Sequence, residues 1–285
     1  MFYGSEDFMR GQEPADLYLE LMKKTLSFSL WPEPPIPVHM LELKKRRPIK
    51  RILALVSRAL EGRQLQLVQM RSVTAEHREQ GKVLPIYADT MIGLKRLDNL
   101  QFCVETVIRD GVPGDLIETG VWRGGACIFM RAILAAHAVR DRKVFVADSF
   151  EGLPKPDADT YPLDRGDTHY RKRHLAVSQE NVAKNFAKYG LLDEQVVFLK
   201  GWFKDTLPSA PIRELAVLRL DGDMYGSTMD ALNHLYPKLS VGGFCVIDDY
   251  GLRACKRAVD DFRQGHAIGA KLEEIDWTGR FWRKT

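Results

Sequence analysis

Two apolar runs, each followed at once by acidic residues, limit what this chain can fold into. They are residues 215–220 (LAVLRL) and residues 244–247 (FCVI). Between them, residues 227–239 carry apolar side chains at helical spacing, so the stretch predicts strand, helix, strand. A crossover of this kind sets two parallel strands side by side, with their carboxyl ends at one edge, where open α/β sheets bind ligands. The acids expected at that edge are Asp221, Asp223, Asp248 and Asp249.

Four carboxylates at one point repel each other, so a positive group must compensate them or their pKa values must rise. No lysine or arginine closely follows either acidic pair, although Arg219 precedes the first. A divalent cation meets this need most simply, and oxygen ligands without nearby Cys or His favour Mg²⁺, Ca²⁺ or Mn²⁺ over Zn²⁺. The alternative is that these residues serve only the turns at the strand ends, where Asp and Gly are common for conformational reasons.

The remainder of the main segment alternates predicted strands and helices, which is typical of a doubly wound α/β sheet. The further predicted strands are 116–117, 143–147, 196–199, 272–275 and 279–283. The further predicted helices are 89–110, with Asp89 as N-cap, then 126–139, 179–189 and 253–265. Residues 153–178 are polar and long for a connection, which is typical of a lid or a mobile loop.

The first 83 residues differ from this alternating pattern. Their apolar helical faces, around residues 17–30 and 52–60, are too short to make an independent core. We therefore expect a helical extension, acting in oligomerisation or as a lid, joined to a main domain at 84–285 and packed on a neighbouring subunit of a homodimer or larger homo-oligomer. Basic residues crowd 44–63; such a run can meet nucleic acid or an acidic membrane, but a solvated face or a flexible arm is the favoured interpretation.

Composition narrows the class of protein. A chain of 285 residues with 45% hydrophobic and 28% charged residues is typical of a soluble globular protein. Its apolar runs fall short of the roughly 20 residues that span a bilayer, and its first residues lack the apolar core of a secretory signal. The four cysteines have no metal-binding spacing. We therefore expect a cytoplasmic protein without a membrane or nucleic-acid partner.

A glycine-containing turn follows the predicted strand 116–117. From Gly120 the spacing is G-x-x-x-G-G, whereas the dinucleotide fingerprint requires G-x-G-x-x-G. Glu118 would repel phosphates and suits a cationic or hydroxyl-rich ligand such as S-adenosylmethionine. Asp148, at the end of the next predicted strand, can accept hydrogen bonds from ribose hydroxyls, a role that serves NAD and S-adenosylmethionine alike.

Several long segments in this order carry a family resemblance: ETGVWRGG, VADSFEGLP, KGWFKDTLP, LRLDGDMYGST and GGFCVIDDY. With TMIGLKRLDNLQ, they resemble the macrocin O-methyltransferase family over roughly residues 84–285, and DLYLELMKKTL near the start is also similar. The segment from residue 31 to about 71 diverges from the family pattern. The resemblance implies the Rossmann-like sheet of a class I S-adenosylmethionine-dependent methyltransferase.

The resemblance also implies ligands and residue roles. The methyl donor is S-adenosylmethionine, the helper ion is Mg²⁺, and the acceptor is a hydroxyl of a sugar or glycosylated natural product. Asp223 is the implied general base. Apart from the resemblance, His169 and His174 in the polar stretch could contact the acceptor or act as alternative bases, although polar residues without a catalytic role are the favoured interpretation. The implied metal ligands are Asp221, Asp248 and Asp249. The residues implied to line the cofactor are Glu118, Thr119, Gly120, Asp148, Ser149, Gly201 and Trp202.

The residues taken alone leave three other functions open. A nicotinamide-dependent oxidoreductase fits the sheet, although the glycine spacing and the unused carboxylates disfavour it. A metal-dependent phosphohydrolase could use the same aspartates and would need no methyl donor. A non-enzymatic RNA- or membrane-binding module led by residues 44–63 would bind polyanions in a salt-sensitive way, even without Asp221.

Overall fold

A computed structural model describes residues 13–38, 47–83 and 85–285, with the backbone only for 47–51. Its helices are α1 (Pro14–Leu26), α2 (Arg47–Glu61), α3 (Ala75–Glu79), α4 (Leu94–Arg109), α5 (Gly125–Ala136), α6 (Gln179–Lys188), α7 (Phe203–Thr206), α8 (Tyr225–Leu235) and α9 (Arg253–Gly265). Its strands are β1 (Ile36–Pro37), β2 (Val68–Gln69), β3 (Asp115–Thr119), β4 (Val144–Asp148), β5 (Val196–Lys200), β6 (Leu215–Leu220), β7 (Leu239–Ile247), β8 (Glu273–Glu274) and β9 (Arg280–Arg283).

The main sheet has seven strands in the order β5-β4-β3-β6-β7-β9-β8. The strands β5, β4, β3, β6 and β7 run parallel, and β9 pairs antiparallel with β7 and β8. The chain winds outward from β3 to β5 and then returns to β6 on the other side of β3. This confirms the predicted doubly wound sheet and puts the switch point, where such sheets bind ligands, between β3 and β6.

Helices cover both faces of this sheet, which explains why the central strand β6, whose one charged residue is Arg219, does not alternate apolar and polar residues. All six residues of β6 are buried. One apolar cluster joins the sheet to α1, α4, α5 and α6. A second cluster, on the other face, joins it to α8 and α9. The predicted strand 215–220 and the predicted helix 253–265 match β6 and α9 residue for residue.

The prediction that Asp89 caps the helix after the extension is wrong. The helix α4 begins at Leu94, with Gly93 as its N-cap. Asp89 instead accepts a hydrogen bond from the Tyr189 hydroxyl at 2.8 Å. Its carbonyl oxygen lies against the start of α5, 2.5 Å from where a Cβ on Gly125 would fall. Tertiary contacts of Asp89 therefore hold the chain outside the helix until residue 94, and sequence periodicity does not predict such contacts.

The described part of the N-terminal extension shares the main core. Leu19, Met22 and Leu26 of α1 are buried among the residues of α4 and α5. The Lys23 ammonium also donates to Asp98 of α4 at 2.5 Å. The boundary between 83 and 84 stays a prediction, and residue 84 lies outside the described residues.

The helix α2 contains the predicted apolar face around residues 52–60, and β2 follows it. Its apolar side chains include Ile52, Leu55 and Val56, which are 61%, 68% and 44% exposed. The first residues of the basic run, 44–46, lie outside the described residues. In the ranges that are described, none of the helices has the length and apolar character needed to cross a bilayer.

Residues 153–178, hereafter the lid, contain no α-helix or strand, as predicted. They form three short 3₁₀ turns, Pro162–Asp164, His169–Arg171 and Arg173–Leu175. The lid runs from the end of β4 to α6 and passes over the carboxyl edge of the sheet, where the candidate site lies.

Candidate functional site

A cavity of about 350 Å³ opens at the carboxyl ends of β3, β4, β5 and β6. The loops after these strands and the lid form its wall. Of the residues predicted to line a cofactor, this wall contains Gly120, Asp148, Ser149, Gly201 and Trp202. The wall also contains Trp122, Tyr161, Asp164, Asp221, Asp223, Met224 and Gly226. One cavity therefore brings together the predicted cofactor turn and the first acidic pair.

Gly120 makes the turn after β3 possible. It adopts φ +84, and a Cβ placed on it would lie 1.7 Å from the carbonyl oxygen of Asp221. Its N–H donates to the carbonyl of Ala147 in β4 at 2.9 Å. Only glycine fits this position, because any side chain would separate the ends of β3 and β6.

Asp148 fastens the same turn to the end of β4. One carboxylate oxygen accepts the N–H of Val121 at 2.8 Å, and the other accepts the N–H of Phe150 at 2.7 Å. Burial raises the pKa of this carboxyl, although those backbone hydrogen bonds act in the opposite direction. The Ser149 hydroxyl also lies 3.3 Å from one of these oxygens, so a ligand hydroxyl in the cavity could take its place on Asp148.

Glu118 and Thr119 lie behind the cavity wall rather than in it. Glu118 is 2% exposed; it binds the Arg219 guanidinium and accepts from the Cys127 thiol at 2.9 Å. Burial raises the pKa of Glu118, and the Arg219 charge opposes that rise. The Thr119 hydroxyl is buried and has no hydrogen-bond partner among the described residues. Direct cofactor contact by these two residues stays a prediction, and Glu118 meanwhile belongs to a buried charge network.

Three half-buried carboxylates lie together at the cavity edge. Asp221, Asp223 and Asp249 each offer one oxygen, and these oxygens lie within 4.8 Å of one another. Burial, with the charges of Asp221 and Asp248, raises the pKa of Asp223 to about 7. Burial and repulsion among the carboxylates also raise the pKa of Asp221 and of Asp249. Neighbouring side chains supply too little positive charge to balance these three carboxylates. The group, with oxygen ligands only, therefore fits a divalent cation such as Mg²⁺.

The negative charge of Asp248 is balanced by two arginines. One of its oxygens accepts from Arg96 at 2.5 Å, and the other is bound by Arg219. Burial alone would raise the pKa of Asp248, but the Arg96 and Arg219 charges lower it below its ordinary value. The expectation that cations are scarce beside the acids therefore needs correction. Arg96 comes from α4 and was not predicted, because only the fold brings it to β7.

Asp223 occupies an unusual backbone conformation. Its φ is +56, in the left-handed region that few residues other than glycine adopt. Its N–H donates to Asp249 at 3.0 Å, and the next N–H, of Met224, donates to the Gly222 carbonyl at 2.5 Å. Such strain persists only where the surroundings impose it, and it is common at functional sites.

The two histidines proposed as alternative bases are not part of the cavity wall. The His169 ring lies 2.8 Å from Asp167, its neighbour in the lid. The His174 carbonyl accepts from the Trp122 indole at 2.8 Å, which ties the far end of the lid to the cofactor turn. Sequence reasoning did not single out Trp122, Tyr161 or Asp164. Of these, only Trp122 carried a signal, because it lies inside the segment ETGVWRGG.

Comparisons with known proteins identify the family of this chain. Residues 15–284 match the family described as Macrocin-O-methyltransferase (TylF). The 8-demethyl-8-(2,3-dimethoxy-alpha-L-rhamnosyl)-tetracenomycin-C 4'-O-methyltransferase of Streptomyces olivaceus is 50% identical over 275 residues, 96% of this chain and 95% of its own length. The demethyldecarbamoylnovobiocin O-methyltransferase of Streptomyces niveus is 58% identical over 212 residues, 74% of this chain and 81% of its own length.

Solved structures give the same result for the fold. The O-methyltransferase NovP superimposes with a TM-score of 0.81 at 48% sequence identity, over 95% of this chain and 99% of that chain. The calicheamicin methyltransferase CalS11 covers 99% of this chain and 98% of its own with a TM-score of 0.52, and at 18% identity it speaks for the fold alone. The predicted class I methyltransferase fold is confirmed.

Proposed function

This chain belongs to the macrocin O-methyltransferase family and is an O-methyltransferase, and from that premise we propose a donor, an acceptor and a helper ion. The donor is S-adenosylmethionine, the acceptor is a sugar hydroxyl of a glycosylated natural product, and the ion is Mg²⁺. The observation that carries the proposal is that one cavity wall joins the Gly120 turn and Asp148 to Asp221 and Asp223. The oxidoreductase considered above would leave the carboxylates unused, and the phosphohydrolase would need no methyl donor.

The Gly120 half of the wall supports a methyl donor without phosphate groups. The turn presents bare backbone, because no side chain fits at Gly120. Asp148 brings a carboxylate to the wall that suits ribose hydroxyls, and the G-x-x-x-G-G spacing from Gly120 departs from the dinucleotide fingerprint. Ser149 and Trp202 complete the predicted cofactor side. The relatives from tetracenomycin and novobiocin pathways carry the names of glycosylated acceptors, which supports the same acceptor class here.

The acidic half of the wall supports the chemistry of the acceptor. A bound divalent ion lowers the pKa of a hydroxyl and orients it. We propose Asp221, Asp248 and Asp249 as the residues that would hold it. Asp221 and Asp249 already place oxygens within the 4.8 Å group. Asp248 carries two arginine partners, so it would share its oxygens between them and the ion.

Asp223 is the proposed general base. Methyl transfer is one in-line displacement: the oxygen–carbon bond forms as the sulfur–carbon bond breaks, and the hydroxyl proton leaves for a carboxylate. Asp223 lies in the cavity wall, two residues beyond Asp221, and its strained backbone fixes where its carboxylate points. The lid, which covers this edge, would exclude water from the reaction.

Variants of Asp223 and Asp248 test these roles against each other, because the trio of close oxygens contains Asp223 and not Asp248. We expect Asp223→Asn to keep Mg²⁺ and S-adenosylhomocysteine affinity but to lose about 10²–10⁴-fold in turnover, as general-base removal typically does. Asp248→Asn should weaken Mg²⁺ binding and turnover together, with partial rescue by excess Mg²⁺. The measurements are turnover and calorimetric affinity for each variant. If Asp223→Asn loses Mg²⁺ affinity and Asp248→Asn does not, the two roles are exchanged.

The proposed setting of the enzyme follows from its surface and its thiols. We propose a homodimer or larger homo-oligomer, supported by the exposed apolar side chains Ile52 and Leu55 of α2. We propose a reducing cytoplasm, supported by the four cysteines, which are all buried and unpaired. The partner is a small-molecule glycoside, and the proposal requires no nucleic acid and no membrane.

A further inference from the structure

One lid carboxylate is bound to α8, the helix that follows the loop carrying Asp223. Asp164 is 2% exposed, although its neighbours in the lid are mostly open to solvent. One of its oxygens accepts the N–H of Tyr225 at 2.7 Å, and the other accepts the N–H of Gly226 at 2.9 Å. These are the first two residues of α8. The lid therefore supplies the N-terminal cap of a helix some 60 residues further along the chain.

The helix α8 depends on this distant cap, because its own N-cap residue provides none. Met224 occupies that position and makes no side-chain hydrogen bond to the first turn. The first N–H groups of a helix have no partner within it, and a negative charge there also interacts favourably with the helix dipole. Asp164 meets both requirements at once.

A second contact holds the lid on the same turn. The Tyr161 ring lies so close to Gly226 that a Cβ placed there would fall 2.6 Å from the ring. Its hydroxyl reaches Asp230, one turn further along α8, at 3.4 Å. The absence of a side chain at Gly226 thus lets the lid pack directly on the helix backbone.

The turn held in this way sets the end of the loop that carries Asp223. Only Met224 separates Asp223 from Tyr225, so the strained loop is fixed by β6 at one end and by α8 at the other. Its internal contacts are the N–H of Asp223 to Asp249 and the N–H of Met224 to Gly222. If the first turn of α8 loosens, the position of the Asp223 carboxylate loosens with it.

We propose that Asp164 is a positioning residue that couples lid closure to the placement of Asp223. With the lid closed, Asp164 holds the first turn of α8 and Asp223 stands at the acceptor site. With the lid open, that turn loses its cap and Asp223 loses its fixed position. The proposal rests on the function proposed above for Asp223. If the proposal is correct, closing the lid over the acceptor also places Asp223 for catalysis.

Amide hydrogen exchange tests the structural half of this proposal. In wild type bound to S-adenosylhomocysteine, the amides of Tyr225 and Gly226 should be protected. In Asp164→Ala they should exchange faster, and trypsin should cut the lid sooner. Asp159→Ala is the matched control, since Asp159 is an exposed aspartate of the same lid outside the cavity wall. Unchanged exchange in Asp164→Ala overturns the proposal.

Turnover tests the catalytic half. Asp164→Ala should lower kcat about 10²-fold, the scale expected for a catalytic group displaced by roughly 1 Å, with little change in KM for S-adenosylmethionine. Asp164→Asn, which keeps one acceptor oxygen, should recover part of the loss. A merely structural cap would lower thermal stability and leave kcat intact well below the melting temperature, and that outcome overturns the proposal.

Gly226→Ala reaches the same contact from the other side and keeps the test decisive if Asp164→Ala fails to fold. Alanine favours the helix, yet its methyl group would push Tyr161 and the lid away. Gly226→Ala should therefore reproduce the faster exchange and the kcat loss. The kcat of the double variant should be no lower than that of the less active single variant. Additive losses of kcat would contradict the proposal that Asp164 and Gly226 act through the same contact between the lid and α8. A wild type that transfers no methyl group refutes the proposed function instead, and the exchange result stands apart from it.

Discussion

Replacing Arg219 by Met tests the charge network beneath the cavity. The Arg219 side chain is 1% exposed and pairs with Glu118, Asp248 and Asp221, whose side chains are 3%, 7% and 27% exposed. After the substitution Asp248 keeps Arg96, and Asp221 keeps access to water. Glu118 retains only the neutral Cys127 thiol. The substitution therefore leaves one buried carboxylate without a cation.

Removing one partner of a buried ion pair costs about 3–5 kcal/mol, and that is the loss in free energy of unfolding we expect for Arg219→Met at neutral pH. Equilibrium urea unfolding, followed by circular dichroism, measures it. Arg257→Met is the matched control: its partner is Asp261, the side chains are 62% and 29% exposed, and an exposed pair contributes less than about 1 kcal/mol.

A second substitution identifies Glu118 as the source of the loss. Adding Glu118→Gln to Arg219→Met removes the unpaired charge and should recover most of the stability. The two single losses should therefore sum to more than the loss in the double variant. An Arg219→Met variant as stable as Arg257→Met, or a double variant with simply additive losses, would refute the reasoning.

Three further predictions concern other parts of the molecule. Asp193→Asn should cost about 1–3 kcal/mol near neutral pH. Its hydrogen bond to Arg131 holds the pKa of Asp193 below the ordinary value. The stability that this pair contributes is therefore complete above about pH 4 and is lost as the pH falls through the lowered pKa. Urea unfolding of wild type and variant at neutral and acid pH tests this direction. Gly120→Ala should abolish S-adenosylhomocysteine binding in calorimetry, whereas Gly190→Ala, also at positive φ but with nothing within 4 Å, should bind normally; equal affinities would contradict the steric account. Leu55→Glu should convert a dimer to a monomer in light scattering, and a monomeric wild type at micromolar concentration would contradict the proposed assembly.

The parts of the fold that sequence predicts best are those fixed by local pattern. The strand 215–220 is apolar apart from Arg219 because helices cover both of its faces. The acids that follow it fall at the ligand edge because parallel strands share a direction. The neighbouring β7 then brings Asp249 to Asp221.

The parts that sequence misses depend on contacts between distant elements. Arg96 reaches Asp248 across 152 residues, and its place in α4 looks like any basic position on an amphipathic helix. Glu118 precedes the glycine turn in the chain, yet the pairing of β3 with β6 sets it beside Arg219, behind the wall. Asp164 lies in a polar loop without periodicity, so its contact with α8 leaves no mark in the sequence.

Incubation with labelled S-adenosylmethionine, Mg²⁺ and a panel of glycosides, read by mass spectrometry, tests the central claim most directly. We predict that at least one glycoside gains a single methyl group on its sugar, that the matching aglycone does not, and that EDTA suppresses the transfer. A folded protein that binds S-adenosylhomocysteine but methylates no glycoside would contradict the proposed acceptor class. Transfer at full rate in EDTA would contradict the proposed role of the metal ion.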